Sequence, residues 1–127
     1  MTSVFHDQYE FLQAGEVRTG DWIAENLAFH LITEEYHELA EKPYFNELNN
    51  VICQNAIKEA LDLMYVTAQY LNVTIGPDKA KECWDALHAN NMSKCHKGKL
   101  LKREDGKILK GPNYKPLDLS VILRDTG

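Results

Sequence analysis

Five carboxylates form two short groups with helical spacing, Glu34, Glu35, Glu38, Glu59 and Asp62. In the first group, Glu35 follows Leu31 by four residues, and in the second, Glu59 precedes Val66 by seven. At about 100° per residue, each group therefore extends an apolar stripe along its helix. If the two helices pair antiparallel through these stripes, all five acids converge at positions where a core is expected.

Converging carboxylates repel one another unless a proton or a cation neutralises them. Two of them about 5 Å apart repel by roughly 3 kcal/mol at an effective dielectric constant near 20, but by less than about 1 kcal/mol in open water. Oxygen-only ligands favour Mg²⁺ or Mn²⁺ and leave coordination positions for phosphate oxygens. The spacing thus predicts a divalent-cation site for phosphate chemistry, and a solvated acidic ridge is the alternative.

A second alternative is a carboxylate-bridged di-iron bundle. Glu34-x-x-His37 and Asp85-x-x-His88 imitate the Glu-x-x-His signature of such proteins. His37, however, lies away from the line of Leu27 and Leu31, and the second match has Asp in place of Glu. We therefore favour the oxygen-only site.

The elements that must position these acids are helices. The pattern predicts four of them, at about 3–14, 21–42, 47–71 and 77–90, with Gly15, Pro43 and Gly76-Pro77 at their limits. The third helix is apolar on two sides, which places it at the centre of a bundle or in a subunit interface. We expect an all-α, antiparallel four-helix bundle that forms homodimers or homotetramers.

The C-terminal part is expected to be a long basic loop with one short helical turn within 117–123. Residues 94–115 contain eight Lys or Arg residues and only two acids, although the whole chain carries a net charge of −5. This charge is typical of a solvated lysine-rich loop, and the alternatives are a nucleic-acid tail and a flap over an anionic ligand. We predict one domain over residues 1–127, with a helical core at about 3–90 and the tail at 91–127.

Composition narrows the class of protein. No apolar run approaches the roughly 18 residues that a membrane span requires. The N-terminus lacks the features of a signal peptide, and three cysteines form no disulfide framework. We therefore expect a cytoplasmic protein without a membrane partner.

Together the motifs resemble those of the MazG-like all-α nucleotide pyrophosphohydrolases, which include phosphoribosyl-ATP pyrophosphohydrolase and the all-α dUTPases. The acidic groups match the pattern E-E-x-x-E followed by E-x-x-D. Residues 85–94 resemble D-x-x-H-x-x-N-M-S-K, and residues 105–114 resemble D-G-K-x-x-K-G-P-N-Y. The similarity covers about residues 22–119. Relatives often have Arg four residues before the first Glu of the pair, where this chain has His30.

The resemblance implies conversion of a nucleoside triphosphate to the monophosphate and pyrophosphate, with two or three Mg²⁺ or Mn²⁺ ions. Glu34 would orient or deprotonate the attacking water. The expected metal ligands are Glu35, Glu38, Glu59 and Asp62. The expected contacts to phosphates or base are Asn91, Lys94, Lys110 and Tyr114. On this view the basic segment is an active-site flap, and nucleic acid is an unlikely partner.

The identity of the base stays open in the sequence. Trp22 and Tyr36 are candidates to stack on it, and Asn26 and Asn55 to bind its edge. Family analogy favours dGTP or dUTP as the substrate. A helical module that binds nucleotides without turnover remains the alternative function.

Overall fold

Four long helices account for most of the residues that the computed structural model describes, which are 3–41, 45–46 and 51–124. The chain divides into two compact units, Met1–Asp78 and Lys79–Gly127. The first unit contains 13 acidic and 3 basic residues, whereas the second contains 6 acidic and 11 basic residues. No helix of the described residues is both long enough and apolar enough to cross a membrane.

The first two helices begin at side-chain caps. Helix α1 spans Val4–Ala14, and the hydroxyl of Ser3 accepts a hydrogen bond from the His6 amide. Helix α2 spans Trp22–Ala40, and Asp21 accepts from the amides of Ile23 and Ala24. These oxygens satisfy amides that have no partner within a first helical turn.

The third helix differs from its predicted range of 47–71. Helix α3 spans Gln54–Ile75, after a two-stranded antiparallel hairpin of β1, Phe45–Asn46, and β2, Val51–Ile52. The predicted start was wrong because Val51 and Ile52 pair as a strand; residues 47–50 lie outside the described residues. The helix ends at Gly76, whose φ of 84° is readily adopted only by glycine.

Helix α4, Pro77–Met92, begins with proline at its first position, as expected, and continues into the second unit. The second unit then forms a three-stranded antiparallel sheet where a loop was predicted. Its strands are β3, Cys95–His96, β4, Lys99–Lys102, and β5, Ile108–Leu109. The short predicted helical turn is present as α5, Ser120–Leu123.

Two tight turns explain why this segment forms a sheet. Lys97 and Gly98 both have positive φ angles, 53° and 75°, which suit a two-residue hairpin turn between β3 and β4. The turn before β5 contains Asp105-Gly106, and Asp105 accepts a hydrogen bond from the Lys107 amide. The prediction of a loop missed these turns because the strands they join are only two to four residues long.

In the first unit, α3 packs against both α1 and α2. Its buried core joins Leu12, Ala28 and Val73, one residue from each helix, with four partly buried residues around them. The first unit is therefore an arrangement of three helices in which α1 and α2 both pack against α3. The architecture is mostly helical, as predicted, while the four-helix bundle itself is not confirmed.

A buried amide network fastens α1 to α3. Asn72 is fully buried, and its Nδ2 donates to the Phe5 carbonyl and to Gln8 Oε1, both at 2.8 Å. Gln8, also fully buried, donates to Gln69 Oε1 at 3.3 Å. Buried amides are stabilising only while their hydrogen bonds are made, so the network fixes the register of the two helices.

We predict that Asn72→Ala lowers the free energy of unfolding by about 2–4 kcal/mol, because it leaves a cavity and removes the donor to two buried oxygens. Urea denaturation measures the change. Asn55→Ala, at an exposed position of the same helix, is the control and should stay within about 0.5 kcal/mol of the parent. Equal effects of the two substitutions would contradict the role of the network.

Candidate metal centre

Helices α2 and α3 run antiparallel, which brings the two acidic groups together. Ala28 packs in the same core cluster as Val73 near one end of the pair, and Glu35 approaches Glu59 near the other. The hydrophobic contacts at the first end thus determine which residues meet at the second. The convergence predicted from the two apolar stripes is present for three of the five acids.

Glu35, Glu38 and Glu59 each offer one carboxylate oxygen as a possible metal ligand, and these three oxygens lie within 4.8 Å of one another. Glu35 Oε2 and Glu59 Oε2 are buried and have no hydrogen-bond partner. The side chain of Glu59 is only 12% exposed. Buried anionic oxygens without a donor are unfavourable, so the arrangement favours a cation or a proton between them.

The surroundings of Glu35 disfavour its charged form. Burial raises the pKa of this carboxyl above its usual value, and the nearby charges of Glu38, Asp62 and Glu59 raise it further. A hydrogen bond with Glu38 acts in the same direction. Without a cation, the cluster therefore retains a proton on Glu35 more readily than a solvated glutamate would.

Asp62, the fourth predicted ligand, is engaged differently. Lys58 Nζ donates to Asp62 Oδ2 at 2.7 Å and lies 4.0 Å from Glu59 Oε1. The pKa of Lys58 is raised, mainly by its hydrogen bond and charge interaction with Asp62. Lys58 was not among the predicted site residues, although its position four residues before Asp62 is the spacing of a helical ion pair.

The donor set fits a hard divalent cation. Glu35, Glu38 and Glu59 supply three oxygen ligands from two adjacent helices, and Asp62 is close enough to Glu35 to perturb it. Carboxylate oxygens are the ligands that Mg²⁺ and Mn²⁺ prefer, with water or phosphate completing the coordination. Bound cations would satisfy the two orphaned oxygens.

The other candidates on α2 lie outside this group. Glu34 is exposed beside Glu35, and His37 is exposed with its ring 5.7 Å from that of Tyr36. Trp22 lines a separate hollow on the first unit. Asp85, the acid of the second iron-type motif, is paired with Lys81 at 2.7 Å. Among the described residues, the group with metal-ligand geometry contains no histidine.

The predicted tail contacts belong to the second unit. Lys110 Nζ lies 4.8 Å from the centre of the Tyr114 ring, a cation–π distance, so these two candidates are neighbours. The Lys94 carbonyl accepts a hydrogen bond from the amide of Gly111, where a side chain would collide with that carbonyl. Asn91 is exposed at the end of α4.

Comparison with models of known protein families and with curated proteins gave no match to this sequence. The likeness to the MazG-like enzymes therefore depends on the motifs themselves and stays a prediction.

We predict that Glu35→Gln raises the melting temperature of the metal-free protein by a few degrees at neutral pH. A carboxyl with a raised folded-state pKa destabilises the fold once pH exceeds the unfolded-state pKa, so the gain should vanish as pH falls from about 7.5 to about 4. Thermal unfolding in EDTA measures it, with Glu10→Gln on α1 as the exposed control. A stabilisation that is the same at both pH values would contradict this explanation.

Lys58 should compete with a cation for the acidic cluster. We predict that Lys58→Met tightens Mn²⁺ binding roughly three- to tenfold at low salt, because a positive charge beside the site is removed. Calorimetric titration tests this. The matched control is Lys81→Met, whose Lys81–Asp85 pair has the same spacing and the same 2.7 Å distance on α4. Unchanged affinity in Lys58→Met would show that Lys58 does not compete.

Proposed function

We propose that this protein is a divalent-metal-dependent nucleotide pyrophosphohydrolase that converts a nucleoside triphosphate to the monophosphate and pyrophosphate. The observation that carries the proposal is the cluster of Glu35, Glu38 and Glu59, in which two buried carboxylate oxygens lack a partner. A bare triphosphate would be repelled by such a cluster, so a site of this charge suits phosphate chemistry only with cations between the two.

Mg²⁺ or Mn²⁺, in two or three copies with substrate, would be held by Glu35, Glu38, Glu59 and Asp62. When bound, such ions polarise phosphoryl oxygens and lower the pKa of a coordinated water. Lys58 would lose its hydrogen bond to Asp62 and remain near the site as a positive charge. The protein's own contribution is to hold four carboxylates on two packed helices, so that little reorganisation is needed when substrate arrives.

Glu34 is the proposed general base. Its exposed carboxylate lies next to Glu35 in sequence but outside the metal-ligand group, so it remains available to accept a proton. In the proposed reaction, the oxygen of a water molecule forms a bond to the α-phosphorus, and Glu34 accepts a proton from that water. The bond between the α- and β-phosphates breaks, and pyrophosphate leaves with the electron pair.

The proposal extends to substrate contacts and location. Asn91, Lys94, Lys110 and Tyr114 are proposed to contact phosphates or base, with support from the family-like motifs and the excess of basic residues in 94–115. Candidate substrates are dGTP and dUTP. The proposed location is the cytoplasm.

The proposal predicts that Mg²⁺ or Mn²⁺ supports release of pyrophosphate from at least one nucleotide in a panel of NTPs and dNTPs. Glu38→Gln should lower kcat/KM at least about 100-fold, because a ligand charge is lost from the cluster. His37→Ala, an exposed change on the same helix, is the control and should keep activity within about threefold. Orthophosphate as the only inorganic product, or full activity in Glu38→Gln, would overturn the proposal.

We also propose that the enzyme is a homodimer or homotetramer. Ile57, Leu61 and Met64 form a stripe on α3 and are 49%, 59% and 59% exposed. A stripe with this spacing suits packing against another helix. Light scattering should give at least twice the chain mass of 14.6 kDa, and Leu61→Glu should lower it. A monomer at micromolar concentration would contradict this assembly.

A further inference from the structure

Beyond the acidic cluster, the first unit contains a hollow that combines aromatic faces with two polar side chains. It has a volume of about 410 Å³ and is lined by Trp22, Glu25, Asn26, Phe29 and Tyr70. The hollow is open to solvent, and its volume lies within the range of sites for small molecules, roughly 300–1,000 Å³. Four of the lining residues come from α2 at spacings of three and four, so they share one side of that helix.

Two of the three aromatic side chains that line the hollow are largely exposed. Trp22 is 71% exposed and Phe29 is 57% exposed, one on either side of the polar pair along α2. Flat aromatic surfaces at this exposure suit a planar ring, and a nucleobase stacked on such a side chain gains roughly 1–3 kcal/mol. Tyr70 from α3 adds a third ring to the wall of the hollow.

Glu25 and Asn26 are the two polar side chains of the hollow that could form hydrogen bonds with a ligand. Neither Glu25 nor Asn26 makes a side-chain hydrogen bond to any of the described residues, so both remain free to bind a ligand. The Glu25 carboxylate only accepts hydrogen bonds, on two oxygens, whereas the Asn26 amide both donates and accepts. A ligand that pairs with both carboxylate oxygens and with the amide N–H presents two adjacent N–H donors next to an acceptor.

Among the common nucleobases, guanine has this edge. Its N1–H and N2–H₂ groups can donate together to one carboxylate, and its neighbouring O6 can accept from an amide. Uracil and thymine have one N–H donor between two carbonyl oxygens, which a carboxylate repels. In adenine and cytosine, the amino donor lies beside a ring nitrogen that only accepts.

We propose that this hollow is a guanine-binding site, in which Glu25 accepts from N1–H and N2–H₂ and Asn26 donates to O6. Trp22 and Phe29 provide the stacking surfaces. This proposal adds a base specificity to the proposed function and rests on that function. If both hold, the substrate is GTP or dGTP. The proposal also assigns roles to Glu25, Phe29 and Tyr70, which the sequence did not single out.

The test compares GMP with IMP, which lacks only the 2-amino group, by calorimetric titration in EDTA. GMP should bind on the order of 10- to 100-fold more tightly, the value of a hydrogen bond to a charged acceptor. Glu25→Gln should remove that preference mainly by weakening GMP. The matched control is Asp7→Asn, because Asp7 is the exposed first-turn acid of α1 just as Glu25 is the first-turn acid of α2.

Several results would overturn the inference. They are equal affinities for GMP and IMP, a preference that persists in Glu25→Gln, and no binding of either nucleotide at millimolar concentration. If Trp22→Ala produces monomers while base preference stays unchanged, a second copy of the chain, not a base, covers the hollow, and the inference is likewise wrong.

Substrate assays keep this inference separate from the proposed function. Pyrophosphate release at equal rates from dGTP, dITP and dUTP would support the enzyme and refute the guanine site. A GMP preference that depends on Glu25, with no pyrophosphate from any nucleotide, would support the site and refute the enzyme.

Discussion

Repulsion among half-buried carboxylates is the constraint on which the first unit depends. Glu35, Glu38 and Glu59 are held with oxygens within 4.8 Å by helices whose packing is determined elsewhere along their length. Among the residues that the structure describes, Lys58 is a cation beside this cluster, and its side chain is directed mainly to Asp62. The raised pKa of Glu35 and the two unpartnered oxygens are consequences of the same arrangement.

Helix α3 is the element that makes this arrangement possible. One side of it binds α1 through the Asn72 amide network, and Val73 packs in the core with Ala28 of α2. The helix also holds Glu59 beside the acids of α2 and leaves Ile57, Leu61 and Met64 exposed. A helix with contacts on several sides has little freedom to rotate, so the positions of Glu59 and Asp62 are determined by packing as well as by their own interactions. The packing of α3 against its neighbours therefore also determines the geometry of the acidic site.

Much of the helical fold and part of the acidic site were predictable from the sequence, because helical periodicity is a strong local signal. The stripes through Leu31 and Val66 predict that five acids converge, and three of them do, Glu35, Glu38 and Glu59. Gly76-Pro77 marks the boundary between α3 and α4. The start of α3 and the three-stranded sheet were missed, because strands of two to four residues are too short to show a period. The ion pair of Lys58 with Asp62 has the spacing of a helical pair and could have been predicted from the sequence. The hollow beside Glu25 also requires Tyr70 from α3, and spacing within α2 does not determine that neighbour.

Crystals soaked in Mn²⁺ would test the central claim most directly, through the anomalous scattering of the metal. The account predicts an anomalous peak between the carboxylates of Glu35, Glu38 and Glu59, with Glu35 Oε2 and Glu59 Oε2 among its ligands and Lys58 withdrawn from Asp62. The contradictory result is a cluster without a peak at saturating Mn²⁺, with Lys58 still bound to Asp62 and the two oxygens still unpartnered.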